Sequence, residues 1–234
     1  DSYGTGLLDA TRGPYENAGG SVVFDVLYDP KAENFDAEIA EVVAADPDAI
    51  VIIGFDETSK ILTGMIEAGV GPADKMVYGT DGNMANSLAT SFDDPSVVTG
   101  MRGTLPGVDV AGTLADFKAK LDAIDPNLED YSYSAETFDA MVLVALGAIA
   151  ANSDDATLIG PELNELTKGG EKCTTFADCK ALLEDDKDID YDGVSGPLEF
   201  GPAGEPTQAS ILILEFDGAG VLQVVDSIQG KIDG

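Results

Sequence analysis

Short apolar runs alternate with stretches of helical periodicity through the first half of the chain. Residues 49–53 are apolar throughout, as expected of a parallel strand that is covered on both faces. Between such runs, apolar residues recur at the spacing of an amphipathic helix, as in Phe35, Ile39 and Val42. Strand and helix alternating at short intervals are typical of a doubly wound α/β sheet. The pattern predicts strands over residues 21–28, 49–53, 75–78 and 97–105, and helices over residues 7–17, 35–46, 61–66 and 83–89.

The pattern changes after Pro106, where helices become more frequent. Residues 134–151 are apolar on most sides, which predicts a long and largely buried helix. The acidic and glycine-rich run at residues 217–220 predicts a hairpin turn between the last two strands. The other predicted elements are helices over residues 114–121, 161–167 and 176–183, and strands over residues 196–200, 209–216 and 221–225.

The charge of the chain is strongly negative. Forty-four acidic residues stand against 12 basic ones, so the formal net charge is −32. Phosphates would be repelled, which argues against nucleic acids and anionic membrane surfaces as partners. A solvated surface that maintains solubility explains the acid excess most simply, and a dedicated cation-binding face is the alternative.

Histidine and tryptophan are both absent from the sequence. Without histidine, a Ser-His-Asp or Cys-His catalytic site cannot be built from this chain. The sequence also contains no dinucleotide-binding, nucleophile-elbow or phosphate-loop motif. We therefore expect a protein that is not an enzyme and that needs no cofactor.

The only two cysteines, Cys173 and Cys179, lie six positions apart. Without histidine the pair is too sparse for a zinc site. A local disulfide is expected, which implies an oxidising compartment; two unrelated buried thiols are the alternative. The sequence shows neither a signal peptide nor an apolar run long enough to span a bilayer, which fits a mature or truncated chain.

Three loops are candidates for ligand binding, because doubly wound sheets bind ligands beyond the carboxyl ends of their strands. They comprise residues 3–6, 54–58 and 79–83. Asp81 lies between glycines at a strand end, where a carboxylate can bind a desolvated amine through a charge-assisted hydrogen bond. A helix cap near Asn83 is the alternative role.

The first of these loops surrounds Tyr3. Its Tyr-Gly-x-Gly sequence is expected to form a turn after a strand and before a helix that Pro14 kinks or ends. The glycines can expose backbone amides to an anion, and simple packing of the turn is the alternative. In the second loop, Phe55 is either a ligand contact or a core aromatic, while Asp56 and Glu57 can be first-turn helix acids.

An acidic stretch near the end of the chain matches the expression for an EF-hand calcium loop. Its oxygen-bearing residues have the spacing that wraps a calcium ion. However, the following residues 196–200 predict a strand rather than the exiting helix, and Ser195 stands where an aliphatic residue belongs. A chance match in an acid-rich chain is therefore preferred, and no metal site is predicted. The matching residues are Asp188, Asp190, Asp192, Gly193 and Glu199.

Several short motifs occur in a collinear order along the chain. The main ones are Tyr3-Gly4-x-Gly6-Leu7, Gly19-Gly20-x-Val22-Val23, Tyr28-Asp29-Pro30, Asp46-Pro47-Asp48-Ala49, Ala68-Gly69, Gly79-Thr80-Asp81-Gly82, Thr137-Phe138-Asp139-Ala140 and Gly193-Val194-Ser195-Gly196-Pro197-Leu198. Together they resemble the later two-thirds of a type I periplasmic solute-binding protein of the branched-chain amino acid family.

The resemblance implies a two-lobed fold in which each lobe carries a flavodoxin-like, doubly wound sheet. Residues 1–104 and 209–234 would form the second lobe without its first strand, and residues 105–208 the returning part of the first lobe. The N-terminal part of the fold would be missing. A companion segment is then expected to pair between residues 22–28 and 50–53.

The resemblance also assigns roles to individual residues. Asp81 matches an acidic position that binds the ligand's α-ammonium group. Phe55 matches an aromatic that stacks on the ligand, although some members have tyrosine there. Tyr3 matches a tyrosine lining the cleft, and Tyr131 and Tyr133 would contact ligand from the other lobe.

The function implied is extracytoplasmic binding of a small solute for delivery to an ABC transporter permease. The solute would be an amino acid such as leucine, isoleucine or valine, or a related amide or acid. A sensory ligand-binding domain of a receptor is the alternative, followed by a doubly wound enzyme. The expected location is periplasmic or extracellular, either without an anchor or attached to the membrane as a lipoprotein.

Overall fold

The computed structural model describes residues 2–231, which divide into two compact units. Unit 1 comprises residues 2–105 and 213–226, and unit 2 comprises residues 106–212 and 227–231. Residues 1 and 232–234, which the expected lobe boundaries include, lie outside the described part. The assignment of the lobes stays a prediction.

Unit 1 is built on parallel strands separated by helices, as the sequence pattern predicts. Strand β1 pairs in parallel with β2, with Ile50 opposite Val77, and β2 pairs in parallel with β3. The elements are α1 (Ser2–Asn17), α2 (Asp36–Ala45), β1 (Ala49–Val51), α3 (Thr58–Glu67), β2 (Met76–Gly79), α4 (Asn86–Thr90), a 3-10 helix (Pro95–Val98) and β3 (Arg102–Pro106). This doubly wound arrangement places the ends of β1 and β2 side by side.

The core of unit 1 lies on one face of this sheet. Ile50 and Val77 of the strands are buried, and so are Leu62 and Met65 of α3. Burying each such side chain contributes roughly 1.5 to 3 kcal/mol to folding. On the opposite face Val51 is 61% exposed, so the sheet is not covered there by the described residues.

Two sequence predictions at the start of unit 1 are wrong. Helix α1 begins at Ser2, so the Tyr-Gly-x-Gly run lies within the helix rather than in a turn before it. Pro14 also lies inside α1, which continues to Asn17. The proline does not stop α1, which ends at Asn17, shortly before Gly19, whose φ of +95° few other residues adopt.

The strand predicted over residues 21–28 is also absent. These residues form no β-ladder with any described part of the chain, although their composition is apolar and β-branched. A strand needs a neighbour for its backbone hydrogen bonds, and none lies beside this segment within residues 2–231. The segment is not paired directly with β1, which is itself shorter than the predicted 49–53.

Other boundaries in unit 1 move by a few residues. The helix predicted over 83–89 starts only at Asn86, and the predicted strand over 97–105 begins with the 3-10 helix and becomes β3 at Arg102. The hairpin predicted at residues 217–220 is confirmed. Asp217 accepts hydrogen bonds from the backbone N–H groups of Ala219 and Val221, and these bonds lower the pKa of its carboxyl.

Unit 2 combines helices with a small sheet that the sequence pattern largely missed. Strand β4 pairs in parallel with β5, which turns back antiparallel into β6. The predicted strand over 196–200 shrinks to two residues. The elements are α5 (Val110–Thr113), α6 (Ala115–Ile124), α7 (Ser134–Ala150), α8 (Ala156–Glu165), β4 (Glu171–Cys173), α9 (Phe176–Glu184), β5 (Ile189–Gly193) and β6 (Gly196–Pro197), followed by β7 (Gln208–Phe216) and β8 (Leu222–Lys231), which run through both units.

The helix predicted over residues 134–151 is present as α7, but only one of its faces is buried. Leu143 and Leu146 pack into the core of unit 2 with Cys173, Cys179 and Tyr191. The opposite face carries exposed apolar residues, with Met141 67% exposed. The prediction of a largely buried helix is therefore wrong for half of its circumference, because no described element packs on that face.

The predicted disulfide is present. Cys173 at the end of β4 is bonded to Cys179 in α9, with the two Cα atoms 5.3 Å apart. Thr175 caps α9 between them by accepting the backbone N–H of Asp178 at 3.1 Å. The bond thus attaches the start of a helix to the sheet of unit 2.

The acidic stretch that matches a calcium loop forms part of this sheet instead. Asp190 and Asp192 lie on β5, where Lys172 of β4 contacts both at 3.0 and 2.7 Å. Within residues 2–231, no group of three or more acidic or cysteine side chains is arranged to hold a metal ion. None of the described helices is long and apolar enough to cross a membrane.

Candidate functional site

Three of the predicted site residues meet at the carboxyl ends of β1 and β2. Tyr3 comes from the first turn of α1, Phe55 from the loop after β1, and Asp81 from the loop after β2. The Tyr3 hydroxyl lies 2.7 Å from Asp81 Oδ1, and its ring centroid is 5.0 Å from that of Phe55. The structure thus brings a carboxylate and two aromatic rings together, in the place expected for ligand binding in such sheets.

The Tyr3 hydroxyl is fixed by three neighbours. It accepts the backbone N–H of Gly82 at 3.2 Å and lies within hydrogen-bond distance of both Asp81 and the Thr80 hydroxyl. Burial is the largest cause that raises the pKa of Tyr3, and the hydrogen bond to Asp81 acts in the same direction. The tyrosine is therefore protonated at neutral pH and serves Asp81 as a donor.

Asp81 keeps one oxygen available. Tyr3 occupies Oδ1, whereas Oδ2 has no hydrogen-bond partner among the described residues. Asp81 is partly buried, so a ligand group at Oδ2 would be partly removed from water. The alternative role as a helix cap is wrong, because α4 begins at Asn86 and Asp81 makes no capping bond to it.

Phe55 stands at the open side of this group, 44% exposed. Its ring lies against Gly82, where a Cβ atom would come within 3.0 Å of the ring. Glycine at this position therefore allows the two loops to approach closely. The exposed ring face is available for contact with an apolar part of a ligand.

Asn83 holds the two loops in register, a role that the sequence pattern did not predict. Its amide donates to the carbonyl of Ile52 at 2.9 Å and to the Thr58 hydroxyl at 3.0 Å, and its Oδ1 accepts the N–H of Thr80 at 2.8 Å. The side chain is 4% exposed. The sequence feature that could have indicated this role is a polar residue directly after a glycine-rich loop at a strand end.

Tyr131 and Tyr133 lie in unit 2, outside this group. The Tyr131 hydroxyl is 2.6 Å from Asp122 Oδ1, and Lys118 lies over its ring at 4.7 Å. Tyr133 precedes α7 with a left-handed φ of +59°. Local contacts account for Tyr131, and the predicted ligand contact of both residues stays a prediction.

Solved structures with the same fold are found among solute-binding proteins. The leucine-binding protein LivK of Thermotoga maritima matches 97% of this chain and 57% of its own length, with a TM-score of 0.74 and 18% identity. A periplasmic binding protein type 1 from Bordetella pertussis matches 99% of this chain and 59% of its own, with a TM-score of 0.65 and 17% identity.

A third example is an ABC-transporter solute-binding protein from R. palustris, solved in complex with 4-hydroxybenzoate. It matches 97% of this chain and 58% of its own length, with a TM-score of 0.68 and 15% identity. No protein-family model and no curated protein matches the chain.

These similarities are low in sequence and extensive in structure. The chain spans less than two thirds of the length of the structures that it matches. The chain therefore has the fold of the type I periplasmic binding proteins, over a little more than half the length of those proteins.

Proposed function

We propose that the chain is part of an extracytoplasmic solute-binding protein that captures a small amine-bearing ligand for an ABC transporter. The ligand class is an amino acid such as leucine, isoleucine or valine, or a related amide. The observation that carries the proposal is that Asp81 Oδ2, beside the exposed ring of Phe55, has no hydrogen-bond partner among the described residues. The fold shared with solute-binding proteins supports it.

The site favours a ligand that is cationic where it meets Asp81. A carboxylate held by Tyr3 is oriented to accept an ammonium N–H, and charge-assisted hydrogen bonds are the strong ones. An apolar side chain attached to that ammonium group would pack on Phe55. A simple anion such as 4-hydroxybenzoate, which binds to one of the similar structures, offers Asp81 no positive partner.

Calorimetry with L-leucine and 4-hydroxybenzoate tests the proposal on the complete protein. We expect L-leucine to bind and Asp81→Asn to weaken it by about 1.5 to 3 kcal/mol, the value of a hydrogen bond to a charged group. The control is Asp56→Asn, which removes a charge from the neighbouring loop and leaves Asp81 intact. If 4-hydroxybenzoate binds and L-leucine does not, the proposed ligand class is wrong.

The remaining parts of the function follow from the same proposal. The partners would be the small ligand and the transporter permease, and the protein would act in the periplasm or outside the cell, in agreement with the disulfide. A lipoprotein anchor is compatible with this location. The similar structures are substrate-binding proteins, which supports a role in binding rather than in catalysis.

We also propose that an apolar strand from a preceding part of the same polypeptide completes the sheet of unit 1. In the flavodoxin-like order 2-1-3-4-5, one strand belongs between residues 22–27 and β1. Both segments expose apolar side chains: Val23, Leu27 and Val51 are each more than 60% exposed. The backbone of residues 22–27 makes no hydrogen bond to other described residues.

Hydrogen exchange tests the missing-strand proposal. The amides of residues 22–27 are expected to exchange rapidly in the 234-residue chain and to become protected in the complete protein. Val77 in the paired strand β2 serves as the internal control, since its environment is the same in both. Equal exchange of residues 22–27 in the two proteins would contradict the proposal.

A further inference from the structure

Glu57 occupies an unexpected position beside the candidate site. It precedes α3, but its side chain makes no capping bond to that helix. Instead Oε1 accepts two hydrogen bonds, from the Tyr28 hydroxyl at 2.9 Å and from the backbone N–H of Phe55 at 3.1 Å. The interpretation of Glu57 as a simple first-turn helix acid is therefore wrong.

Tyr28 connects this carboxylate to the core. Its ring packs edge-to-face on Phe35, with centroids 5.4 Å apart, and Phe35 is 2% exposed. The Tyr28 hydroxyl also lies 2.9 Å from the carbonyl of Ile53. Burial, and secondly the hydrogen bond to Glu57, raise the pKa of Tyr28, so its hydroxyl stays protonated and acts as a donor at neutral pH.

The loop that carries Phe55 is closely packed at Gly54. A Cβ atom at Gly54 would collide with the Tyr28 hydroxyl and approach Glu57 Oε1 to 2.8 Å. The backbone, the tyrosine and the carboxylate are therefore packed against each other. Phe55 is the next residue, and its ring lies against Tyr3, which binds Asp81.

We propose that Glu57 is a positioning residue for ligand recognition, which holds the 54–57 loop so that the Phe55 ring faces Tyr3 beside Asp81. This inference rests on the proposed function. Without this support, the half-exposed Phe55 ring would have to be ordered when the ligand binds. The free energy of that ordering would offset part of the gain from its contact with the ligand. Fixing it in advance removes that cost and strengthens ligand binding without any direct contact from Glu57.

Three variants separate positioning from charge. Glu57→Ala removes both hydrogen bonds and is expected to weaken L-leucine binding by about tenfold, the equivalent of one hydrogen bond. Glu57→Gln retains an oxygen acceptor at the position of Oε1 and is expected to bind as the unmodified protein does. Asp56→Ala removes the same charge one residue away, from a side chain with no hydrogen-bond partner among the described residues, and is also expected to leave binding unchanged.

A ligand-free measurement tests the same idea independently. In NMR spectra, the nuclear Overhauser effects between the Tyr3 and Phe55 rings should be present in the unmodified chain and in Glu57→Gln, and should be lost in Glu57→Ala. Circular dichroism confirms that each variant is folded. If Glu57→Ala does not fold, Tyr28→Phe removes one of the two bonds and should reduce both the ring contacts and the affinity.

The outcomes distinguish the two proposals. Unchanged ring contacts and unchanged affinity in Glu57→Ala would overturn the positioning role. Equal losses in Glu57→Ala and Asp56→Ala would assign the effect to charge and overturn it as well. If the unmodified protein does not bind L-leucine, the proposed ligand class fails, and the ring contacts alone decide the role of Glu57.

Discussion

Two aspartates each contact a tyrosine hydroxyl, but they differ in burial and in the number of their other hydrogen-bond partners. Asp81 in unit 1 and Asp139 in unit 2 each lie 2.7 Å from a tyrosine hydroxyl, that of Tyr3 and that of Tyr191. Asp139 is 1% exposed and also accepts the backbone N–H groups of Val194 and Ser195 and the Ser195 hydroxyl. Asp81 is only partly buried and keeps Oδ2 without a partner among the described residues.

The difference in hydrogen bonding separates a carboxylate that stabilises the fold from one that is suited to bind a ligand. A buried charge is tolerated when hydrogen bonds satisfy it, and Asp139 uses both oxygens to attach α7 to the turn between β5 and β6. Gly193 is required there, because a Cβ atom would collide with the carboxylate. A satisfied aspartate stabilises the fold, whereas Asp81, with one oxygen left available, is suited to bind a ligand.

The largest expected difference is in stability. Asp139→Ala leaves one buried and three partly buried donors without their acceptor and should lower the free energy of unfolding by about 3 to 5 kcal/mol. Asp81→Ala should change it by less than about 0.5 kcal/mol, as is usual for partly exposed positions. Urea unfolding followed by circular dichroism measures both. Similar values for the two variants would remove the distinction on which the comparison rests.

The disulfide should have the next largest effect, on unit 2 only. Reducing Cys173–Cys179 opens a short loop, which should cost about 2 kcal/mol of stability. Hydrogen exchange before and after reduction should show the loss in Tyr191 and its neighbours, with Val77 of unit 1 unchanged. Intact mass should rise by two hydrogen atoms on reduction. Free thiols in the untreated protein would contradict the assignment.

The two tyrosines provide a matched and smaller test. Tyr191→Phe removes one of the four bonds to Asp139 and should cost about 1 kcal/mol of stability. Tyr3→Phe should leave stability within about 0.5 kcal/mol and act on ligand affinity instead, because Asp81 loses its orienting donor. The comparison would fail if Tyr3→Phe proved to be the more destabilising substitution.

The smallest effect concerns Glu136, a carboxylate intermediate between the two aspartates. It is half-buried and accepts the N–H of Val108 at 3.2 Å, and burial raises its pKa above the ordinary value of 4.5. A raised carboxyl pKa adds stability below the unfolded-state pKa, and this contribution is lost as pH rises through the folded-state pKa. The change should be under about 1 kcal/mol, since solvent screens the group.

The substitution Glu136→Gln isolates this contribution. Unfolding free energies measured from pH 4 upward should fall less steeply in the variant than in the unmodified protein. Asp154→Asn, at an exposed site, is the control for the loss of one charge. A variant with the same pH dependence as the unmodified protein would exclude Glu136 as the source.

Several features of the molecule could be predicted from local sequence because local sequence determines them. The apolar run at 49–53 and the helical spacing after Thr58 indicate a parallel sheet with covering helices, and β1, α3 and β2 form there. The spacing of Cys173 and Cys179 predicted their bond. The position of Asp81 between glycines at a strand end placed it in the candidate site.

The errors have a common physical cause, which is dependence on neighbours distant in sequence. Residues 21–28 have the composition of a strand, but a strand forms only beside another that accepts its hydrogen bonds. Strands β4 and β5 were missed for the opposite reason. Their polar sequence is tolerated because each pairs with the other, and Lys172 forms ion pairs with Asp190 and Asp192.

The sequence by itself determined the α/β class, the loops that carry the candidate site and the residue types within it, because periodicity and strand-end glycines are local properties. Only the tertiary structure decided how these residues are used. Whether a carboxylate is satisfied, as in Asp139, or available, as in Asp81, depends on donors more than 50 residues away. The role of Glu57 likewise appears only when Tyr28 and Phe55 are folded against it.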